Sequence, residues 1–349
     1  MNSINAQTIE LNEFENGKNI TSNENLVIVN LYDYKKDGYG QNSTLVAFDN
    51  KLMKKWEFKL DLKHTNIIDK VLITNNSIIF TGIEGERDNQ TLNTNRFIRI
   101  LDLSGKLLYN KNLGKSIYSC TNLLVIKNKL TFSYQKSSSI HFSNFQDKKT
   151  VFVNLDLVTK SIKFSESFFL RSTPEFNIYI NNEYYCIGER YKTEKYNVTE
   201  SYIKNISQNS LEKLIPAERM ESISRIISSE KKLTLFSYSN PFIENQERYI
   251  RIDQIDFLGN VISKKEHAFS KLGWFHIYLK CTAIENEAWF YVFKTNEDAF
   301  FMKINSKGDI KEEIKSNIGD GSIDFSLNSE NVFHLFKEDE KLKLIKLKR

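Results

Sequence analysis

The side chains best able to do chemistry are scattered along this sequence. Five histidines, His64, His141, His267, His276 and His334, show no metal-ligand spacing. His267 and His276 are closest together, yet no carboxylate or thiol completes a ligand set around them, so structural or exposed histidines and no bound metal are expected. Glu84, Glu86 and Asp88 alternate in "EGERDN" like oxygen ligands but lack the length and spacing of a calcium loop, which makes a solvated acidic loop the expectation. Cys120, Cys186 and Cys281 are far apart and odd in number. They read as free buried thiols, which suits a reducing, cytoplasmic compartment. There is no G-x-S-x-G, no P-loop and no G-x-G-x-x-G, so neither a nucleophile elbow nor a phosphate cradle is signalled and no cofactor is expected. The carboxylates Asp61, Glu218, Glu221 and Asp320 could converge as acids do in a hydrolase or lyase, but a linear sequence does not display a pair.

What must position these residues is a repeated hairpin. In "FIRILDLSGKLLYNKNLG", residues 97–114, two runs rich in β-branched and aromatic residues flank Asp102, Leu103, Ser104 and Gly105, a turn in which glycine supplies positive φ. Phe97, Arg99 and Leu101 share one face of the first strand and Ile98 and Ile100 the other; with both faces largely apolar, the strand is expected to be packed on both sides. Similar hairpins turn near Asn50, Val158, Gln208, Leu258 and Lys307, about 50 residues apart, the scale of one propeller blade. Two further apolar runs separate consecutive hairpins, for example "CTNLLVIK" and "KLTFSYQ", giving four strands per period.

The expected fold is therefore all-β: a seven-bladed β-propeller of four-stranded antiparallel blades in a single domain, 1–349. Blades are placed near 17–59, 67–113, 118–168, 175–215, 221–269, 275–315 and 322–348. The last has three strands of its own, so residues 7–13 ("QTIELNE") are expected to complete it as the outer strand. Six or eight blades stay open, because the first inner strand is weakly apolar. Only three prolines and thirteen glycines occur, and no Pro/Gly/Ser-rich linker divides the chain.

The turns "LVAFDNKLMKKWEF", "RILDLSGKLLYN" and "VNLDLVTKSIKF" resemble bacterial propeller repeats of the pyrroloquinoline-quinone type, with an apolar strand, Asp, a turn and an outgoing strand carrying an aromatic. The family's outer-strand Trp is present only as Trp56, and its Thr-Gly turn is absent. The resemblance implies the fold alone, without the quinone or its dehydrogenase chemistry.

A binding site is expected where the links between second and third strands are long, as in "KKDGYGQN", "EGERDNQTLNT" and "QKSSSIHFSNFQDKK". Tyr34, Tyr39, Phe142, Phe145, Tyr191, Tyr196 and Phe242 belong to these links, and Trp274 and His276 precede an inner strand on the same face. Aromatics among mixed charge suit a protein interface. The 49 basic and 44 acidic residues nearly cancel, which argues against nucleic acid as a partner. Neither a signal segment nor an 18-residue apolar run is present, so no membrane partner is expected. The terminal "KLKLIKLKR" alternates as a strand does. The resulting expectation is a monomeric, non-enzymatic protein-binding propeller, such as an immunity protein against a secreted toxin or an assembly scaffold. The alternative is a carbohydrate-binding or hydrolase/lyase-type propeller with acids around its channel.

Overall fold

The computed structural model describes residues 6–34, 41–60, 65–87, 92–116, 120–137, 148–167, 172–191, 199–208, 213–215, 221–229, 231–239, 248–269, 275–278, 287–294, 299–316, 318 and 321–349. Every regular element among them is a β-strand.

After β1 (Ala6–Glu10), the strands β2 (Asn16–Ser22), β3 (Leu26–Tyr34), β4 (Gln41–Asp49) and β5 (Lys54–Lys59) pair in order. The run β6 (Thr65–Ile73), β7 (Ile78–Arg87), β8 (Leu92–Leu101) and β9 (Leu107–Lys115) is antiparallel throughout. A parallel bridge between Asn42 and Asn66 joins the two runs into one eight-stranded sheet. Five four-stranded sheets account for the remainder. They are β10 (Leu124–Ile126), β11 (Lys129–Ser137), β12 (Lys148–Asp156) and β13 (Ile162–Ser167); then β14 (Ser172–Ile180), β15 (Glu183–Tyr191), β16 (Thr199–Asn205) and β17 (Lys213–Ile215). Next come β18 (Glu221–Ser228), β19 (Leu233–Ser239), β20 (Arg248–Ile255) and β21 (Val261–Phe269), and β22 (Phe275–Tyr278), β23 (Glu287–Lys294), β24 (Ala299–Asn305) and β25 (Ile310–Ser316). In the last sheet, β26 (Ser322–Leu327), β27 (Asn331–Glu338) and β28 (Lys341–Lys348) are followed by β1, in register Ala6↔Leu347 to Glu10↔Lys343.

The N-terminal strand is shorter than the 7–13 expected. It ends at Glu10 because Asn12 and Glu13 form a turn, in which Phe14 N–H donates to the Leu11 carbonyl at 3.1 Å. Leu11 still reaches the sheet edge, its N–H donating to the Leu342 carbonyl at 2.8 Å.

One device sets the turn between third and fourth strands. Asp49, Asp102, Asp156 and Asp256 each accept bonds from the backbone N–H groups that follow: Ser104 and Lys106 onto Asp102, both 2.9 Å, and Val158 and Thr159 onto Asp156 at 2.9 and 2.8 Å. Asn205 and Asn305 hold the same place, accepting from Gln208 at 3.0 Å and Lys307 at 3.0 Å. A short side-chain oxygen at this offset satisfies donors that the reversal leaves unpaired, which is why Asp or Asn recurs there. The outer strands then seat on the next turn. Trp56 of β5 donates Nε1–H to the Leu103 carbonyl at 2.9 Å and covers Gly105, whose φ of +88° and contact with the indole leave no room for a Cβ. His267 of β21 bonds the Gly308 carbonyl at 2.6 Å in the same way. Gln7 of β1 likewise reaches the Lys51 carbonyl at 2.8 Å, so β1 behaves as an outer strand.

Two compact units emerge, one comprising 1–31, 46–55 and 216–349 and the other 32–45 and 56–215. The second is built around Ile79, Ile98, Phe132 and Val153. The first holds separate clusters around Val27, Val29 and Leu344, around Phe236 and Phe290, and around Trp289, Phe301 and Phe325. The strands β23 and β24 are apolar on both faces because they contribute to two of these clusters, Phe290 and Met302 to one and Trp289 and Phe301 to the other.

Candidate functional site

Of the nine residues expected to form a binding face, Tyr34 is described in full. It ends β3, half exposed, edge-on to Tyr32 with ring centroids 5.5 Å apart. Burial, followed by the bond to Tyr34, pushes the Tyr32 phenol up to about 12. Tyr191 closes β15 opposite Thr199, and His276 lies in β22 opposite Phe293. Tyr39, Phe142, Phe145, Tyr196, Phe242 and Trp274 lie outside the described residues, as do Asp61, Glu218 and Asp320. Glu221 opens β18 opposite Ser239. Glu84 and Glu86 are strand residues of β7, not a loop, and Glu84 is held by Arg99 at 2.7 Å. Among the described residues no three His, Cys, Asp or Glu are disposed to hold a metal.

A buried ion pair with no local signature in the sequence lies on β6 and β8. Arg96 on β8 is fully buried, and its Nη1 lies 2.6 Å from Asp69 Oδ2. The Asp69 carboxylate reaches it because β6 bulges between Ile68 and Lys70, placing one extra residue, Asp69, against β7. A bulge re-aims the side chain it carries. Bulges recur at the corresponding place in β14, between Pro174 and Phe176, in β18, between Ile223 and Arg225, and in β26, between Ser322 and Asp324. Arg96 Nε and Nη2 face Ser116 Oγ at 3.4 and 3.5 Å, Ser116 donates to the Gln135 carbonyl at 3.0 Å, and the guanidinium stands 5.8 Å from the Tyr134 ring centroid. Cys120 lies in the same neighbourhood. Burial pushes its thiol up to about 11 despite the pull of Arg96, as in a thiol packed into a core.

A second buried group is His334 on β27, packed against Tyr291, Phe301 and Phe336 with its Nε2 2.7 Å from Ser322 Oγ. A serine beside a histidine suggests a nucleophile and its base. The surroundings argue otherwise: burial pulls the imidazole down to about 3, and Nδ1 has no hydrogen-bond partner among the described residues. A base of this kind needs a group that steadies its protonated form. Since the folded-state value lies below the ordinary 6.5, the unfolded chain takes up the proton first, and stability present above about pH 6.5 is lost as pH falls toward 3. His334→Gln is expected to flatten that decline, read as thermal melts across pH 7 to 3; equal slopes for parent and variant would show that His334 does not govern it.

An open groove of about 400 Å³ is lined by Ala6, Gln7, Glu330, Asn331, Lys346 and Lys348. Its polar walls carry both signs of charge, and Lys346 is already bonded to the Asn50 carbonyl at 2.7 Å.

No family model matches the chain, and no curated protein matches it in sequence. Solved structures do match. The β-propeller domain of the Trilobed protease from Pyrococcus furiosus superposes with a TM-score of 0.59 at 14% identity, over 95% of this chain and 92% of that one. The fold is a β-propeller. Acylaminoacyl peptidase from Pyrococcus horikoshii matches with a TM-score of 0.58 at 13% identity, over 95% of this chain and 51% of that one. A prolyl endopeptidase matches at 0.57 and 8% identity, over 93% and 47%. This chain thus spans about half the length of those two peptidases.

The comparison corrects the expectation of a non-enzymatic protein-binding propeller, whether immunity protein or scaffold. Several of the solved chains it resembles come from proteases and peptidases.

Proposed function

We propose that the chain is a hydrolase-type β-propeller of seven blades that handles peptide substrate for an amide-hydrolysing active site. The observation that carries this reading is its alignment over 93–95% of its own length with peptidases of which it covers only 47–51%. Seven blades are supported by the five four-stranded sheets together with two four-strand runs in the eight-stranded one, and by β1 in the last sheet. Without a nucleophile motif of its own, the chain would bind and admit peptides while the attacking group comes from elsewhere. Asp61, Glu218, Glu221 and Asp320 are its candidate acids for basic peptides.

Two measurements test this: anisotropy titration of labelled oligopeptides into the purified chain, and release of arylamine from peptidyl anilides. Saturable binding with Kd on the order of 10 μM and no turnover is expected. Asp61→Asn, Glu218→Gln and Asp320→Asn together should weaken binding of lysine-rich peptides severalfold. If no peptide of a diverse set binds saturably, the reading fails.

A further inference from the structure

We propose that the outward side of two neighbouring hairpins, the β8–β9 turn with β9 and the β12–β13 turn with β13, docks on an anionic lipid bilayer. Leu103, Leu107, Leu108, Val158 and Phe164 are all exposed there, Leu108 by 52% and Val158 by 70%. Large apolar side chains gathered on a surface mark a place where something binds. Between them stand Lys106, Lys111, Lys160 and Lys163, also exposed. None of these four lysines forms an ion pair within 4.0 Å among the described residues, and Lys160 donates to the Leu157 carbonyl at 2.6 Å. The acids of the two turns, Asp102 and Asp156, direct their oxygens into the hairpins, where the Ser104 hydroxyl and then backbone N–H groups hold Asp102, and backbone N–H groups hold Asp156, below the usual carboxylate range. The exposed large side chains of the two turns and of the adjoining residues 107–111 and 162–164 are therefore apolar and cationic.

The two hairpins adjoin. Lys160 Nζ lies 5.9 Å from the Tyr109 ring centroid, tying the β12–β13 turn to the middle of β9. The tip at Leu103 is fixed by the bond from Trp56 to its carbonyl. Rigid apolar tips can enter the acyl boundary while flexible lysine stems carry their ammonium groups to the headgroup phosphates.

The composition distinguishes lipid from other partners. Protein interfaces favour Arg, Tyr and Trp and are depleted in Lys, whereas the cations here are lysines and the exposed apolar groups are mainly aliphatic. Single-stranded nucleic acid is gripped by exposed aromatics on which bases stack. The β20–β21 hairpin supplies an internal contrast. It also exposes Leu258 and Ile262, but Lys264 pairs with Glu266 at 3.5 Å and Lys265 with Asp309 at 2.7 Å, which leaves its cations neutralised. No helix among the described residues is long and apolar enough to cross a membrane, and the contact proposed is peripheral.

The test is co-sedimentation of the full chain with phosphatidylcholine vesicles that contain or lack phosphatidylserine. Binding is expected only with phosphatidylserine, falling as salt is raised. Lys106→Glu, Lys111→Glu and Lys163→Glu together should weaken it roughly tenfold or more, and so should Leu108→Ser, Val158→Ser and Phe164→Ser together. Leu258→Ser with Ile262→Ser should leave it unchanged. Should a combined variant fail to fold, acetylation footprinting of the parent chain gives an independent reading: vesicles are expected to protect Lys106, Lys111 and Lys163. Absence of phosphatidylserine-dependent binding, binding that survives the apolar substitutions, or capture by heparin or DNA without capture by vesicles would each overturn the proposal.

Discussion

Arg96→Met is expected to destabilise the protein by roughly 3 to 5 kcal/mol, one of the largest effects available to a single substitution in this chain. The cause is not the value of the ion pair itself. Arg96 is fully buried and Asp69 nearly so, and their 2.6 Å contact recovers only part of what both lost on leaving water. Deleting the guanidinium strands a carboxylate in the interior and removes the partner facing Ser116. Asp69→Asn should cost less than Arg96→Met, because an amide oxygen can still accept from Nη1 while the charge stays unpaired. The double replacement Arg96→Met with Asp69→Leu should recover much of the loss, since an apolar pair carries no desolvation penalty. Urea unfolding midpoints at constant m-value measure all three. A double variant no more stable than Arg96→Met alone would mean that the pair holds the bulge in β6 by geometry, not charge.

This pair shows where sequence reasoning runs out. The third-to-fourth strand hairpins are legible because an Asp or Asn at a fixed offset does local work: Asp102 takes its bonds from Ser104 and Lys106, within four residues. The bulge that brings Asp69 to Arg96 has no such local signature. It depends on the pairing of β6 with β7, where one extra residue turns the Asp69 carboxylate into the interior. Leu107 and Leu108 illustrate the converse. Their apolar character invites burial, yet β9 is an outer strand whose pairing with β8 breaks register between Ile100 and Leu101, and both leucines are about half exposed. His334 lost its identity to the same limit, because nothing in "NVFHLFKE" says that the ring faces Tyr291 and Phe301. Function was less legible still: the long links expected to carry binding hold most of the predicted site residues, and composition alone could not separate a protein-binding surface from a substrate-handling one.

Removing residues 1–11 is expected to have the second large effect. Five residues of β1 pair with β28, Leu11 is buried and Ile9 partly so in the cluster that contains Leu335, Leu342 and Leu344. Burial of side chains of this size stabilises by about 1.5 to 3 kcal/mol each when complete, a substantial part of a typical net stability of about 5 to 15 kcal/mol. The Gln7 bond to Lys51 and the Glu10 pair with Lys341 at 3.3 Å go as well, although the latter is exposed and adds little. The truncation should therefore lower the melting temperature markedly, with Ile9→Asp plus Leu11→Asp approaching it in the full chain. Self-association should follow more weakly than loss of an edge strand usually implies. The uncovered β28 carries Lys341, Lys343, Lys346 and Lys348, and lysines on an edge repel a second strand. A synthetic peptide spanning residues 4–12, added in trans, should raise the melting temperature of the truncated chain by mass action, because it restores the missing ladder. Melting that is unaffected by the truncation would mean that β28 needs no neighbour, and β1 would then be an ornament of the last sheet, not its fourth strand.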